Sequence, residues 1–425
     1  MFYLVKAKLF LICFFFVIFF QSSISSAHAT TFTITKTANT SDGTCDADCS
    51  FMEAVTSANA NAGADTINFD IPTSDGGYVA PSGSTQGYFL LLLSSVSLTD
   101  DSGVFIDGYS QSGASRNTAT FGEPLNTVLK IKITYSTATT FTISGNNNHL
   151  AGINYGSVVV HTTDIFFDGS SNNWIEGNFF GSDITGTVAG IGGSFHNANA
   201  SGSNTFGTNG DGVGDPGERN LFMGSVGKDY AFTGYVWSDN LSFSGNSNVI
   251  AGNYMGVDKT GRTCTTGIIY GMNIQIASSS NRIGTNFDGV SDSEESNILG
   301  CIFVDPITRG FIRIYGSISN NLIQGNYLGI SPYGDALGSL VGSGRGAVAL
   351  LGGGANGTII KGNTISNADY GILQSFSGRN TFSQNKIFGH GLLGIGLGSG
   401  TSQLANDTGD TDSGPNDLMN KPTTG

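Results

Sequence analysis

Two stretches of this chain set oxygen-bearing side chains at a spacing that suits a hard divalent cation. Asn209-Gly210-Asp211-Gly212-Val213-Gly214-Asp215-Pro216-Gly217-Glu218 returns 77 residues later as Asn286-Phe287-Asp288-Gly289-Val290-Ser291-Asp292-Ser293-Glu294-Glu295. Against a twelve-position calcium-binding loop, Asn209, Asp211, Asp215 and Glu218 occupy positions 3, 5, 9 and 12, and Gly212 the sharp turn at 6. Asn286, Asp288, Asp292 and Glu295 occupy the same positions in the second copy. Position 1 holds Gly207 or Gly284, so water must complete the shell. The affinity expected is weak, about 10⁻⁴ to 10⁻³ M. The same composition also reads as a solvated Gly/Asp excursion, the commoner fate of such loops. Asp407, Asp410, Asp412 and Asp417 form a weaker acidic group near the C-terminus.

The elements that carry these loops repeat. Asn173-Trp174-Ile175-Glu176-Gly177-Asn178-Phe179-Phe180-Gly181 recurs at Asn248–Gly256 and Asn321–Gly329, at offsets of 75 and 73 residues. Asn204-Thr205-Phe206-Gly207-Thr208-Asn209 recurs at Asn281–Asn286, and Gly362-Asn363 and Gln384-Asn385 lie 22 apart. A basic step of about 22 to 25 residues, with roughly three steps per larger unit, predicts stacked coils rather than separate domains. Ile175, Ile250 and Ile323 then point inward. Trp174 points outward by alternation, and Phe179, Phe180, Tyr254 and Tyr327 pack at corners or in the core. Exposed in a row, these aromatics would form a strip for sugars or a partner. Gly and Asn mark the corners because both tolerate positive φ, and Asn at equivalent corners can stack as amide ladders. Asp183 and Asp258 each precede a Gly by three residues and read as turn caps.

One coil cannot bury its own core, so the stack needs a cap. Ser50-Phe51-Met52-Glu53 is a capping box. Phe51, Ala54, Val55 and Ala58 make one apolar face of a helix running to Asn61. Cys49-Ser50-Phe51-Met52-Glu53-Ala54 resembles the Cys-Ser-Leu-Arg-Glu-Ala signature of secreted bacterial proteins, with Phe and Met in place of Leu and Arg. Phe105–Ser115 and Asp412–Pro422 resemble two further segments of that family. The resemblance covers nearly all of the chain after residue 29. It implies an all-β fold: a single right-handed parallel β-helix, a pectin-lyase-like solenoid of about a dozen coils with a short N-terminal capping helix. It says little about activity. The organisation expected is a signal peptide at 1–29, an N-terminal cap at 30–100, β-helix repeats at 101–400 and an acidic tail at 401–425.

Lys6 and Lys8, the apolar run Leu9–Phe20 and Ala27-His28-Ala29 fit a cleaved export signal, so Thr30 is the expected mature N-terminus. That run is too short for a bilayer span of about 20 residues, and no later segment is long and apolar enough. Cleavage takes the net charge from −14 to −16, which excludes a nucleic-acid partner. Export permits disulfides. Cys45 and Cys49 are expected to pair across their short loop, rather than hold zinc, for which further ligands are missing. Cys264 and Cys301 can pair only if they fall on adjacent coils.

Some short elements resemble those of β-helical polysaccharide enzymes. Phe388-Gly389-His390-Gly391 resembles the Gly-His-Gly of polygalacturonases, and Arg313-Ile314-Tyr315 resembles their Arg-Ile-Lys. The order is reversed and no paired Asp-Asp element accompanies them, so His390 reads as a turn residue. No complete catalytic constellation is recognised. The function expected is a secreted or surface-associated binding, adhesion or structural role toward a polysaccharide or cell surface. The alternative is a polysaccharide lyase or glycoside hydrolase on the same scaffold. Converging carboxylates with Arg or Lys in a cleft would favour the enzyme; an Asn/Thr/aromatic face would favour binding. No cofactor is expected beyond the calcium of the acidic loops.

Overall fold

The computed structural model describes residues 28–83, 85–135, 141–157, 163–189, 194–198, 202–223, 241–243, 245–264, 274–301, 310–339, 341–342, 344–351, 354–398, 406, 408–409 and 413–418. Residues 1–27 of the expected signal segment 1–29, and Asp407, Asp410 and Asp412, lie outside them.

Short strands recur in the same order along the chain and form three long sheets. Sheet 1 runs from Thr31–Ile34 to Thr381–Ser383 and sheet 2 from Tyr78–Val79 to Lys386–Ile387, each with eleven described strands. Sheet 3 runs from Val96–Leu98 to Leu393–Leu397 with ten. Every strand pairs in parallel with those of neighbouring coils, except that Tyr78–Val79 pairs antiparallel with Tyr88–Leu93. This is a parallel β-helix. Its core lies inside the coil, where Ile175, Ile250 and Ile323 are fully buried. Tyr155, Phe180 and Phe222 continue that core as a stack of rings with centroids 5.2 and 4.7 Å apart.

The period differs from the expectation. Trp174 pairs with Thr205, which pairs with Val249, then Arg282, then Leu322. A unit of about 75 residues is therefore two coils and not three. Connections of unequal length, both between sheets 1 and 2 and between sheets 2 and 3, lengthen the coils and conceal the shorter period.

Two columns of asparagine hold the coils in register. At the corner entering sheet 1, the backbone N–H of Asn148 donates to Asn173 Oδ1 (2.8 Å), Asn173 to Asn204, Asn204 to Asn248, Asn248 to Asn281 and Asn281 to Asn321. At the corner between sheets 1 and 2 the column is Asn178, Asn220, Asn253, Asn297, Asn326, Asn363 and Asn385. Each side chain supplies an acceptor to the coil before it, satisfying a buried N–H that the bent strand cannot pair.

Helix α1, Phe51–Ala60, covers the N-terminal end of the coil. Ser50 and Glu53 exchange both bonds of the capping box, and Asn61 is the C-cap. Phe51, Ala54, Val55 and Ala58 are buried. Phe51 meets Phe141 edge-on at 6.0 Å, so the helix closes the open end of the core.

Candidate functional site: a loop-built corner

The corner between sheets 1 and 2 alternates two designs. Some coils turn tightly through Gly-Asn, as at Gly177-Asn178, Gly252-Asn253, Gly325-Asn326 and Gly362-Asn363. Others insert a long loop, at residues 108–130, 208–220 and 285–297. The long loops fold over the tight turns beside them. A Cβ on Gly252 would lie 2.6 Å from the Glu294 carbonyl oxygen, so no larger residue fits beneath the loop there.

The 108–130 segment is a strap laid across the outside of sheet 2. Gly122 N–H donates to the Tyr254 hydroxyl (2.8 Å), and Phe121 N–H donates to Glu294 (3.1 Å). The strap buries Phe179 and Tyr254 with Leu125, Leu129, Leu221 and Ile298 in a second apolar cluster outside the coil. Arg219, fully buried, ties the loops together. It donates to the Gly252 carbonyl (2.7 Å), the Ala119 carbonyl (3.3 Å) and Glu294 (2.6 Å). The strap carries no strand periodicity, so repeat analysis passes over it.

The two acidic loops adopt one hydrogen-bond pattern. Asp211 N–H donates to Asn209 Oδ1 (2.9 Å), Val213 N–H to Asp211 (2.7 Å), Gly212 N–H to Asp215 (3.1 Å) and Asn209 N–H to Glu218 (3.1 Å). The second copy repeats it through Asn286, Asp288, Asp292 and Glu295. All eight candidate ligands thus accept N–H donors from their own loop. Among the described residues, no group of three or more His, Cys, Asp or Glu side chains is placed to hold a metal ion.

Two of the differences between the copies bear on the site. Arg282 reaches Glu295 at 2.6 Å, while the first copy has Thr205 at the position of that arginine. Burial pushes the Glu218 carboxyl up to about 7. The second difference is Phe287, which occupies the position of Gly210. Both sit in the left-handed region, at φ 58° and 75°.

Phe287 lines a cleft of about 270 Å³ with Phe121 and Tyr327. Thr285, Asp292, Ser293, Ser296 and Thr364 complete its walls with hydroxyls and one carboxylate. A second cleft of about 250 Å³ is lined by Gln86, Asn126, Thr127, Val128, Thr185, Thr187 and Lys259, with no carboxylate. The sequence signal for the first cleft was an aromatic residue inside an otherwise polar loop, Asn286-Phe287-Asp288-Gly289.

Sheet 1 presents a second aromatic feature on its outer face. Phe105, His149 and Trp174 stack on successive coils, with centroids 4.2 and 4.4 Å apart. Trp174 points outward, and its indole N–H donates to the Gly207 carbonyl (2.8 Å). Beneath it Glu176, almost wholly buried, accepts from Arg116 (2.7 Å) and lies 2.9 Å from His149 Nε2. Glu176 is thus engaged by Arg116 and His149, which remain partly exposed at 40% and 24%.

Asp183 accepts from Thr187 and Val188 N–H, and Asp258 from Thr260 N–H. Half-buried His390 places Nδ1 3.2 Å from the Ala368 carbonyl oxygen. Arg313 pairs with Ala349, then Leu373, then Gly396, three strands from the coil that follows His390. The His390 ring lies against Ala368 and Gly371 on the coil before its own, two strands or about 10 Å from the strand of Arg313 at the usual spacing. Cys45 is bonded to Cys49, and Cys264 to Cys301, whose Cα atoms are 5.3 Å apart. Asp417 pairs with Arg379 at 2.7 Å on the surface. Among the described residues no helix is long and apolar enough to cross a membrane.

No family model and no curated protein matches this chain. Among solved structures it is similar to PfbA, a surface adhesin of Streptococcus pneumoniae, at 12% identity over 84% of this chain and 92% of that one, with a TM-score of 0.31. A likeness at that score carries no argument about function; the architecture rests on the sheets themselves.

Proposed function

We propose that this chain is an exported, surface-associated binding protein, and that the corner of long loops is its binding face. The observation that carries the reading is the composition of the clefts at that corner. They bring together Phe121, Phe287, Tyr327, Thr and Ser hydroxyls and amides, with Asp292 as the single carboxylate. Hydrolysis of a glycosidic bond generally needs two carboxyl groups flanking it. The buried carboxylates nearby, Glu176, Glu218 and Glu295, are held by Arg116, by backbone N–H and by Arg282 respectively. Bonds between all four cysteines left after the export signal agree with an oxidising environment.

The test uses the exported chain. It is applied to a glycan array and to whole cells, alongside lyase and hydrolase assays on the same polysaccharides. Saturable binding without new reducing ends or unsaturated products supports the reading. Turnover of any polysaccharide that binds would replace it with the enzyme. N-terminal sequencing of secreted material is expected to begin at Thr30, and a start at Met1 would remove the export step.

A further inference from the structure

Resting on the reading above, we infer that Phe287 is the platform of a subsite for one neutral sugar ring. The first argument is comparative. The acidic loop occurs twice with the same turn, and the first copy meets its left-handed position with Gly210, the residue that adopts it without strain. The second copy places a bulky aromatic there at φ 58°. Strain of this kind persists where the surroundings enforce it, and it concentrates at binding sites. Here the ring stays 40% exposed, so core packing does not account for it.

The surroundings hold the ring in place. A Cβ on Gly362 would lie 2.8 Å from Phe287 Cζ, so the absence of a side chain at that turn makes room for the ring. The Lys361 ammonium lies 4.8 Å from the ring centroid, a cation–π contact that fixes one side. Phe287 N–H donates to the Thr285 hydroxyl (2.9 Å). The ring is thus set before any ligand arrives, which reduces the ordering needed on binding.

The chemistry of the cleft selects the ligand class. A pyranose has C–H faces of partial positive charge, which suit the negative face of an aromatic ring, and a rim of hydroxyls. Phe121, Phe287 and Tyr327 offer the ring surfaces. Ser293, Ser296, Thr364 and Asp292 stand at the rim as donors and acceptors. At about 270 Å³ the cleft lies below the usual range for larger ligands and suits a single ring. Asp292 in the wall and the net charge of the exported chain, −14 less the two lysines of the export signal, oppose a uronate, while the Lys361 ammonium is already turned onto the Phe287 ring. A peptide strand is also disfavoured, because the strands flanking the cleft, Tyr327–Leu328 and Thr364–Ile365, pair with neighbours on both sides and offer no free edge.

The experiment compares the exported chain with Phe287→Gly and Phe388→Ala on immobilised neutral oligosaccharides (glucans, mannans, galactans and xylans), on uronate oligomers, and on cells with and without protease treatment. Glycine is the residue of the first copy, so Phe287→Gly should melt no lower than the parent. Phe388, 39% exposed with Lys386 5.4 Å from its ring centroid, is an aromatic control on the next coil that does not line the cleft. The expected result is binding to a neutral glycan, weakened roughly tenfold or more by Phe287→Gly and unchanged by Phe388→Ala. Equal binding by Phe287→Gly, or preference for uronates, overturns the subsite and leaves the binding function standing. Adhesion to cells without glycan binding, abolished by protease, also overturns it in favour of a protein ligand. No binding to glycans or cells overturns both readings.

Discussion

Glu218 and Glu295 end two loops of the same fold, and the two carboxyls have different neighbours. Arg282 stands 2.6 Å from Glu295 and also donates to the Gly284 carbonyl. In the first copy Thr205 replaces that arginine, and the Trp174 indole takes the equivalent Gly207 carbonyl without supplying a charge. Burial then raises Glu218 from 4.5 to about 7. Between those values the folded chain holds a proton that the unfolded chain has released. This contribution to stability is complete below pH 4.5 and is lost as the pH rises through about 7. The displacement is worth at most about 3 kcal/mol, and partial access of solvent to the loop reduces it to about 1–2 kcal/mol. Glu218→Gln keeps an oxygen for Asn209 N–H and removes the titration. Urea midpoints at about pH 5.5 and about pH 8.5 should fall less steeply with pH in the variant than in the parent. The chain has six glutamates, so carboxyl-¹³C labelling can follow Glu218 directly. A Glu218 resonance titrating near 4.5, or parallel stability profiles, would refute the reasoning.

Three further outcomes are expected. Asn253→Ala should destabilise by about 3–5 kcal/mol, because it leaves the buried Asn220 N–H and the Phe206 and Ala251 carbonyls without their partner. Asn385→Ala, at the half-buried end of the same column, should cost about 1 kcal/mol or less, and hydrogen exchange of neighbouring amides measures both. Arg219→Ala strands Glu294 and two carbonyls at a cost of about 3–5 kcal/mol, and should open the strap to protease between residues 116 and 126; resistance equal to the parent's would reject the clamp. The calcium proposal for the acidic loops rests on their oxygen spacing alone. Calorimetry at millimolar calcium should give a saturable heat lost in Asp211→Ala and Asp288→Ala if it holds, and no heat if the loops are complete through their own hydrogen bonds.

Much of the scaffold is written locally. A capping box, a four-residue apolar face and Gly-Asn corners are short-range patterns, and the helix, the inward isoleucines and both asparagine columns follow from them. The outward turn of Trp174 follows from strand alternation, which depends only on the pleat. The coil count per repeat did not follow, because loops of different length are inserted between equivalent strands and spacing alone cannot separate coil from insertion. The strap across sheet 2, the burial of Phe179 and Tyr254 beneath it, and the pairing of Cys264 with Cys301 all join residues on different coils. The cleft is of the same kind. Phe121, Phe287 and Tyr327 come from three separate turns of the coil and meet only because stacking brings their corners side by side. Sequence spacing encodes neighbours within a coil; contacts between coils depend on register and on how each long loop folds over its neighbour, and those were decided by the tertiary structure.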